Sequence, residues 1–160
     1  MKQKILMLIL VFSFFKVFSC CSKEQEQRVT DSINNENTTD NEMTNSKIRI
    51  KIDSKVFNAT LSNNATAAAF KAMLPMTVNM TELNGNEKYF NLSNNLPVNA
   101  SNLSNIQNGD LMMYGSNTLV LFYKSFATAY SYTNLGRIND TTGLTDALGT
   151  GNVEITFEFQ

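Results

Sequence analysis

The residues that could most readily form a functional site are aromatic, and most of them fall within residues 109–138. Four of the five tyrosines of the 160-residue chain lie in this stretch. Exposed aromatic rings can hold a peptide or a small molecule by contact and stacking. We therefore predict a ligand-binding groove formed by Tyr89, Tyr114, Phe122, Tyr123, Tyr130, Tyr132 and Arg137. The alternative for each aromatic residue is an ordinary place in the core, with tyrosine hydroxyls reaching solvent.

Polar candidates for catalysis are fewer and weaker. Arg137 has two interpretations, as a ligand for an anion or carboxylate and as a structural ion-pair residue. Glu82 and Glu87 are separated by a predicted turn that would bring them close, but paired-carboxylate catalysis needs a further partner. The chain contains no His, so Ser125 and Ser131 have no histidine base and a Ser-His-Asp triad is excluded.

Composition excludes several other classes of function. The net charge is −1 and the pI is about 5.4, so there is no basic surface of the kind that binds nucleic acid. The only two cysteines are the adjacent Cys20 and Cys21, which excludes a disulfide scaffold and a Cys/His zinc site. We expect no metal and no cofactor.

The N-terminal pattern is that of an exported protein. A charged start with Lys2 and Lys4 precedes an apolar run that is shorter than the roughly 20 residues of a membrane span. The run ends in Val-Phe-Ser-Cys, which resembles the lipobox of bacterial lipoproteins. This resemblance implies a signal peptide over residues 1–19, a lipid on Cys20 and attachment to a membrane. A simple N-terminal anchor helix is the alternative.

The segment after Cys20 is too polar to form a core, so we predict that residues 20–46 are a lipidated cysteine and a disordered tether. The start of the segment, Ser-Lys-Glu-Gln-Glu, resembles signals that send some Bacteroidota lipoproteins to the cell surface. The expected location is the bacterial cell envelope, with the lipid in the outer membrane and the domain on its periplasmic or surface face.

Residues 47–160 contain the pattern of one mainly-β domain. Apolar and polar residues alternate over 48–52, 57–61 and 153–159, which is typical of half-buried strands. Residues 118–123 are apolar on both faces, which indicates a central strand. Further strands are predicted over 76–83, 87–92, 111–114 and 130–138, helices over 65–74 and 143–148, and a long loop over 93–108. The first and last strands are expected to pair and close a barrel.

These segments, taken together and in order, resemble the small bacterial cyclophilin-like domain. The matching pieces are AAAFKAMLP (67–75), LNGNEKY (83–89), GDLMMY (109–114), LVLFYK (119–124), YSYTNLGRI (130–138) and GNVEITF (151–157). The resemblance implies an all-β fold, a closed or partly open β-barrel of about eight strands with one or two short helices.

The resemblance also implies a link to peptidyl-prolyl isomerases, which use an Arg and an apolar cradle for proline. This chain departs from that pattern, because it has no His and no Trp, and because Lys88-Tyr89-Phe90-Asn91 stands where the isomerase Arg is expected. We therefore expect a lipid-anchored binding module without efficient isomerase activity. A residual isomerase, with Arg137 or Lys124 as the donor, and a purely structural or surface-interaction lipoprotein are the alternatives.

Overall fold

The computed structural model describes residues 46–160 as eleven strands and two helices. The predicted signal peptide, the lipid on Cys20 and the tether before residue 46 lie outside the described residues. The strands are β1 Lys47–Ile52, β2 Lys55–Leu61, β3 Met76–Leu83, β4 Glu87–Asn91, β5 Ser101–Asn102, β6 Asn105–Ile106, β7 Asp110–Tyr114, β8 Thr118–Phe122, β9 Phe126–Ala127, β10 Ser131–Ile138 and β11 Val153–Phe159. The helices are α1 Ala65–Lys71 and α2 Leu144–Leu148.

Eight of these strands form a closed antiparallel barrel, which confirms the predicted fold class. The order around the barrel is β2-β1-β11-β3-β4-β8-β7-β10, and β10 pairs back onto β2 through Gly136 opposite Leu61. The first and last strands pair as predicted, with Ile48 opposite Phe159. The predicted loop over 93–108 needs correction, because it contains two short strands. Of these, β5 pairs with β10 and β6 pairs with β9.

The barrel interior is filled by one face of each strand. In β1 the three isoleucines are fully buried and alternate with exposed charged residues, as the period of two requires. The helices add to the same core: Phe70 of α1 lies edge-on to Phe157 of β11, with 5.5 Å between the ring centroids, while Leu144 and Leu148 of α2 are buried. Asn64 caps the N-terminus of α1, because its side chain accepts a hydrogen bond from the Ala67 amide, and the helix ends at Lys71, three residues earlier than predicted.

A second hydrophobic cluster covers part of the outside of the barrel. In β8, Leu119 and Leu121 face the interior, so Val120 and Phe122 must face outward, and both are nonetheless buried. We call this second cluster the outer cluster; it comprises Ile106, Met112, Val120, Phe122 and Tyr132, with Tyr89 and Phe126 packed against it. The two short strands β6 and β9 each contribute one residue to it. The predicted central position of β8 is therefore explained by burial on both faces.

Strands β2 and β10 approach each other closely at Gly136. A Cβ atom on this residue would lie 2.3 Å from the Thr60 carbonyl oxygen and 2.8 Å from the Leu61 Cα. The pairing of β10 with β7 also shifts register between Asn134 and Gly136, which is the mark of a bulge. Only glycine fits at this point of barrel closure. Separately, no helix among residues 46–160 is both long enough and apolar enough to cross a membrane.

Candidate functional site

Four of the seven predicted groove residues line one open depression of about 350 Å³ on the outer face of the barrel. We call this depression the tyrosine groove. It lies beside the outer cluster, over strands β4, β8, β7 and β10. The four are Tyr89, Tyr114, Tyr130 and Tyr132, and the rest of the lining is Leu83, Asn84, Glu87, Asn91, Thr118 and Val120.

Alternation along paired strands brings the tyrosines together. Tyr89 of β4 lies opposite Val120 of β8, and Tyr114 of β7 lies opposite Thr118 of the same strand. Side chains directly opposite one another in an antiparallel pair share a face of the sheet. Tyr132 enters from β10, on the other side of β7. The groove is therefore built on hydrogen-bonded strands, with only Tyr130 and the turn residue Asn84 outside them.

The tyrosine rings stand at steep angles to one another. Tyr114 and Tyr130 have centroids 6.2 Å apart and planes at 88°, and Tyr114 and Tyr132 have centroids 5.6 Å apart and planes at 52°. Tyr130 is 64% exposed and Tyr114 47% exposed, whereas Tyr132 is buried. The groove thus has a fixed aromatic floor at Tyr132 and two accessible aromatic walls.

Phe122 supports the groove without lining it. Its ring is fully buried and lies edge-on to Tyr132 and to Phe126, with centroid distances of 5.5 Å and 5.6 Å. The phenylalanine fixes the position of the Tyr132 ring from below. Phe122 was predicted to line the groove; the structure places it beneath the groove, against Tyr132.

The charge in the groove is negative. Glu87 is half-buried, and burial together with the negative charge of Glu82 raises the pKa of the Glu87 carboxyl. Burial, followed by the charge of Glu87, raises the pKa of Tyr132 to about 12. Among the described residues that line the groove there is no Lys or Arg. Glu87 is therefore the one acidic side chain among the described residues that line the groove.

Tyr123 lies on the opposite face of the barrel wall. It comes directly after β8 and continues the inward-facing series of Leu119 and Leu121, and its hydroxyl donates to both oxygens of Glu82, at 2.8 and 2.9 Å. Burial and the neighbouring Glu82 raise the pKa of Tyr123 to about 12. The structure therefore separates Tyr123 from the tyrosine groove, although Tyr123 directly follows the outward-facing Phe122 in the sequence.

Tyr123 belongs to a polar cluster around Lys88, which has no exposure to solvent. The Lys88 ammonium donates to Glu82, to the Gly149 carbonyl at 3.0 Å and to the Gly151 carbonyl at 2.6 Å. It also lies 5.4 Å from the centroid of the Tyr123 ring. A fully buried lysine is tolerated only when its charge is paired and its donors are satisfied, as here. The burial of Lys88 could have been predicted from the sequence, because alternation along its strand places it at an inward-facing position.

A second open depression, of about 570 Å³, lies next to this polar cluster. Its lining mixes charges of both signs. The lining residues are Glu82, Gly85, Tyr123, Lys124, Thr145, Asp146, Gly149 and Thr150. Of this lining, Glu82 and Tyr123 are hydrogen-bonded to each other, and the Thr145 hydroxyl donates to the Tyr123 carbonyl.

Arg137 is also held away from the tyrosine groove. Its Nε and Nη2 atoms both donate to Asp110 Oδ1 at 2.6 Å, and the other carboxylate oxygen accepts from the Gln107 amide at 2.8 Å. Asp110 is buried, whereas the Arg137 side chain is 54% exposed. Of the two interpretations of Arg137, the structural ion pair describes this geometry.

Comparison with known proteins agrees with this architecture. A sequence model described as "Cyclophilin-like family" matches residues 50–158. No curated protein matches the chain. Among solved structures, the chain is similar to the solution structure of a hypothetical protein from Archaeoglobus fulgidus. The TM-score is 0.53 at 18% identity, over 72% of this chain and 95% of that one. At this identity the likeness concerns the fold alone.

Proposed function

The chain belongs to the cyclophilin-like family, and we propose that its domain is a binding module that holds an extended peptide or a small ligand in the tyrosine groove. The observation that carries this proposal is the pair of exposed rings, Tyr114 and Tyr130, beside the buried Tyr132. The planes of the two exposed rings meet at 88°. Large exposed aromatics that converge on one depression mark interaction sites more often than single exposed residues do.

We further propose that the domain is a poor prolyl isomerase. Catalysis of isomerisation requires a donor placed at the prolyl nitrogen as well as an apolar cradle. The groove offers the cradle, but the only charged side chain in its described lining is the carboxylate of Glu87. Of the two candidate donors, Arg137 is paired with Asp110, and neither Arg137 nor Lys124 lines the groove. A bound proline ring would be held without assistance to the rotation of its peptide bond.

Binding is tested by calorimetric titration of the full-length chain with a set of capped, proline-containing peptides. Tyr130→Leu and Tyr114→Leu are each expected to weaken binding about tenfold, through the loss of an aromatic contact. The matched control is Phe159→Leu, since Phe159 is an aromatic residue of equal exposure, 47%, on β11. Unchanged affinity in both tyrosine variants, or an equal loss in the Phe159 variant, would contradict the proposed groove.

Isomerase activity is tested separately with a protease-coupled assay on a proline peptide. The expected rate is that of the uncatalysed reaction. A rate above background that disappears in Arg137→Ala would instead support the residual-isomerase alternative.

We propose that a lipid on Cys20 attaches this module to the cell envelope, with residues 20–46 as the tether. The support is the lipobox-like sequence that ends in Cys20, within a part of the chain outside the described residues. Replacement of Cys20 by Ala should move the protein from the membrane fraction to the soluble fraction and remove the mass of the lipid. A Cys20→Ala protein that stays in the membrane fraction with unchanged mobility would rule out lipidation at this residue, and Cys21→Ala is the matched control.

A further inference from the structure

We propose that the tyrosine groove selects peptides by a basic side chain, a lysine or an arginine, which it holds between the aromatic rings and the Glu87 carboxylate. This inference rests on the proposed function, because it names the chemistry of the ligand at the same site. It does not follow from an isomerase-like site, where the ligand is a proline ring.

The first argument is the state of the Glu87 carboxylate. In the described part of the chain it has no hydrogen-bond donor and no ion-pair partner, although the four ion pairs found there engage Glu82, Asp110 and Glu158. It is half-buried at the wall of the depression, and the charge that acts on it is the negative charge of Glu82. A half-buried carboxylate with no partner has lost part of its hydration without a compensating interaction, and an incoming cation would supply that interaction.

The second argument is the arrangement of the rings. A cation is attracted to the face of an aromatic ring when it lies within about 6 Å of the centroid. Tyr114 packs directly against Tyr130 and Tyr132, with ring centroids 6.2 Å and 5.6 Å apart, so a cation would lie against the outer surface of these rings and not between two of them. Because Tyr130 is 64% exposed and Tyr114 47% exposed, this surface is accessible to a basic side chain. The walls carry no Lys or Arg among the described residues that could repel a basic guest.

The third argument distinguishes a basic side chain from a quaternary ammonium group. A quaternary ammonium has no N–H, so it would use the ring faces and leave the Glu87 oxygens without a donor. A lysine ammonium or an arginine guanidinium donates to the carboxylate and also lies against the rings. The combination of three tyrosines with one unpaired carboxylate therefore fits a cation with N–H donors.

The experiment compares two capped pentapeptides of the same sequence, Gly-Pro-X-Pro-Gly, with arginine or its neutral isostere citrulline at X. Both are titrated calorimetrically against the full-length chain. We expect the arginine peptide to bind about tenfold more tightly. In Glu87→Gln most of this difference should disappear. In Glu154→Gln, which removes the same charge from an exposed position on β11, the difference should persist.

The outcomes separate this inference from the proposed function. If the two peptides bind equally and Tyr130→Leu weakens both, the selection of a basic side chain is wrong and the groove stands. If neither peptide binds, and none of the proline peptides does, both proposals are wrong. Tighter binding of choline than of the arginine peptide would overturn the basic side chain in favour of a quaternary ammonium. Persistence of the arginine preference in Glu87→Gln would also overturn the proposed part of Glu87.

Discussion

Lys88 and Glu82 form an ion pair in which the lysine side chain is fully buried and the glutamate is 19% exposed. The same ammonium also binds the carbonyl oxygens of Gly149 and Gly151, in the connection between α2 and β11. One cation thus joins β4 to β3 and to a segment that is more than 60 residues away in sequence.

We predict that Lys88→Met is strongly destabilising. The change removes the cation that pairs with Glu82 and the donor to the Gly149 and Gly151 carbonyls, although Glu82 keeps the Tyr123 hydroxyl. Breaking a buried pair in this way costs about 3 kcal/mol in the free energy of unfolding. Urea unfolding followed by circular dichroism measures the loss. The control is Lys51→Met, because Lys51 pairs with Glu158 at the surface, where such a pair contributes less than about 1 kcal/mol. A Lys88→Met protein as stable as Lys51→Met would contradict the claim that the polar cluster around Lys88 stabilises the fold.

Glu82 and Glu87 are predicted to have opposite effects on stability as the pH changes. Burial raises the pKa of Glu82, but hydrogen bonds from Lys88 and Tyr123 and the charge of Lys88 outweigh it, so that the pKa is below the ordinary 4.5. The pKa of Glu87 is above 4.5, through burial and the charge of Glu82. A lowered carboxyl pKa means that ionisation favours the folded state, and a raised one means that ionisation opposes it.

The stabilisation from Glu82 is therefore complete above pH 4.5 and is lost as the pH falls through its lower folded pKa. Glu82→Gln should be less stable than the wild type at neutral pH, by a margin that shrinks only below 4.5. Glu87→Gln should be more stable at neutral pH, and this gain should vanish on acidification. Urea unfolding across the acidic range measures both. Parallel pH profiles for the two variants would refute this assignment of signs.

Gly136→Ala is predicted to disrupt the closure of the barrel. The added methyl group would collide with the backbone of β2 at Thr60 and Leu61, where no flexible side chain can move aside. A backbone collision of this kind is expected to cost about 3 kcal/mol or more. Gly151→Ala is the control, because a Cβ there meets nothing within 4 Å and the backbone has no positive φ. Thermal unfolding of the two variants gives the comparison, and equal melting temperatures would contradict it.

Arg137→Gln is predicted to reduce stability and to leave peptide binding unchanged. Its loss leaves the buried Asp110 carboxylate with only the Gln107 amide, which should cost about 2 kcal/mol. Asp110→Asn in the same chain should recover part of the loss, since it removes the unpaired charge. The measurements are urea unfolding and the peptide titration. Weaker peptide binding by the folded Arg137→Gln protein would show that Arg137 takes part in ligand binding after all.

The strands could be predicted where one face is polar. Residues 153–159 alternate strictly and form β11, and residues 76–83 form β3 at the predicted bounds. The short strands β5 and β6 gave no such signal, because two residues are too few to show a period. Their position depends on pairing with β10 and β9, which is a property of the folded barrel.

The tyrosines near the groove could be named from the sequence, but the face of the barrel on which each predicted residue lies could not. Phe122 and Tyr123 are neighbours, so in a strand they point to opposite faces and cannot both enter one groove. Because β8 is apolar on both faces, the sequence does not show which face is inner. The position of Tyr123 is decided by Glu82, 41 residues earlier, and that of Arg137 by Asp110, 27 residues earlier. Such distant pairs leave no periodic signal in the chain.

The location of the tyrosine groove outside a closed barrel has a kinetic consequence. Each barrel strand keeps hydrogen-bonded neighbours on both sides, and the groove lies on the outer surface of this wall. A ligand can therefore arrive and leave without the separation of any two strands. We expect association to be limited by diffusion and by rotation of the exposed Tyr114 and Tyr130 rings, and exchange to be fast compared with any opening of the barrel.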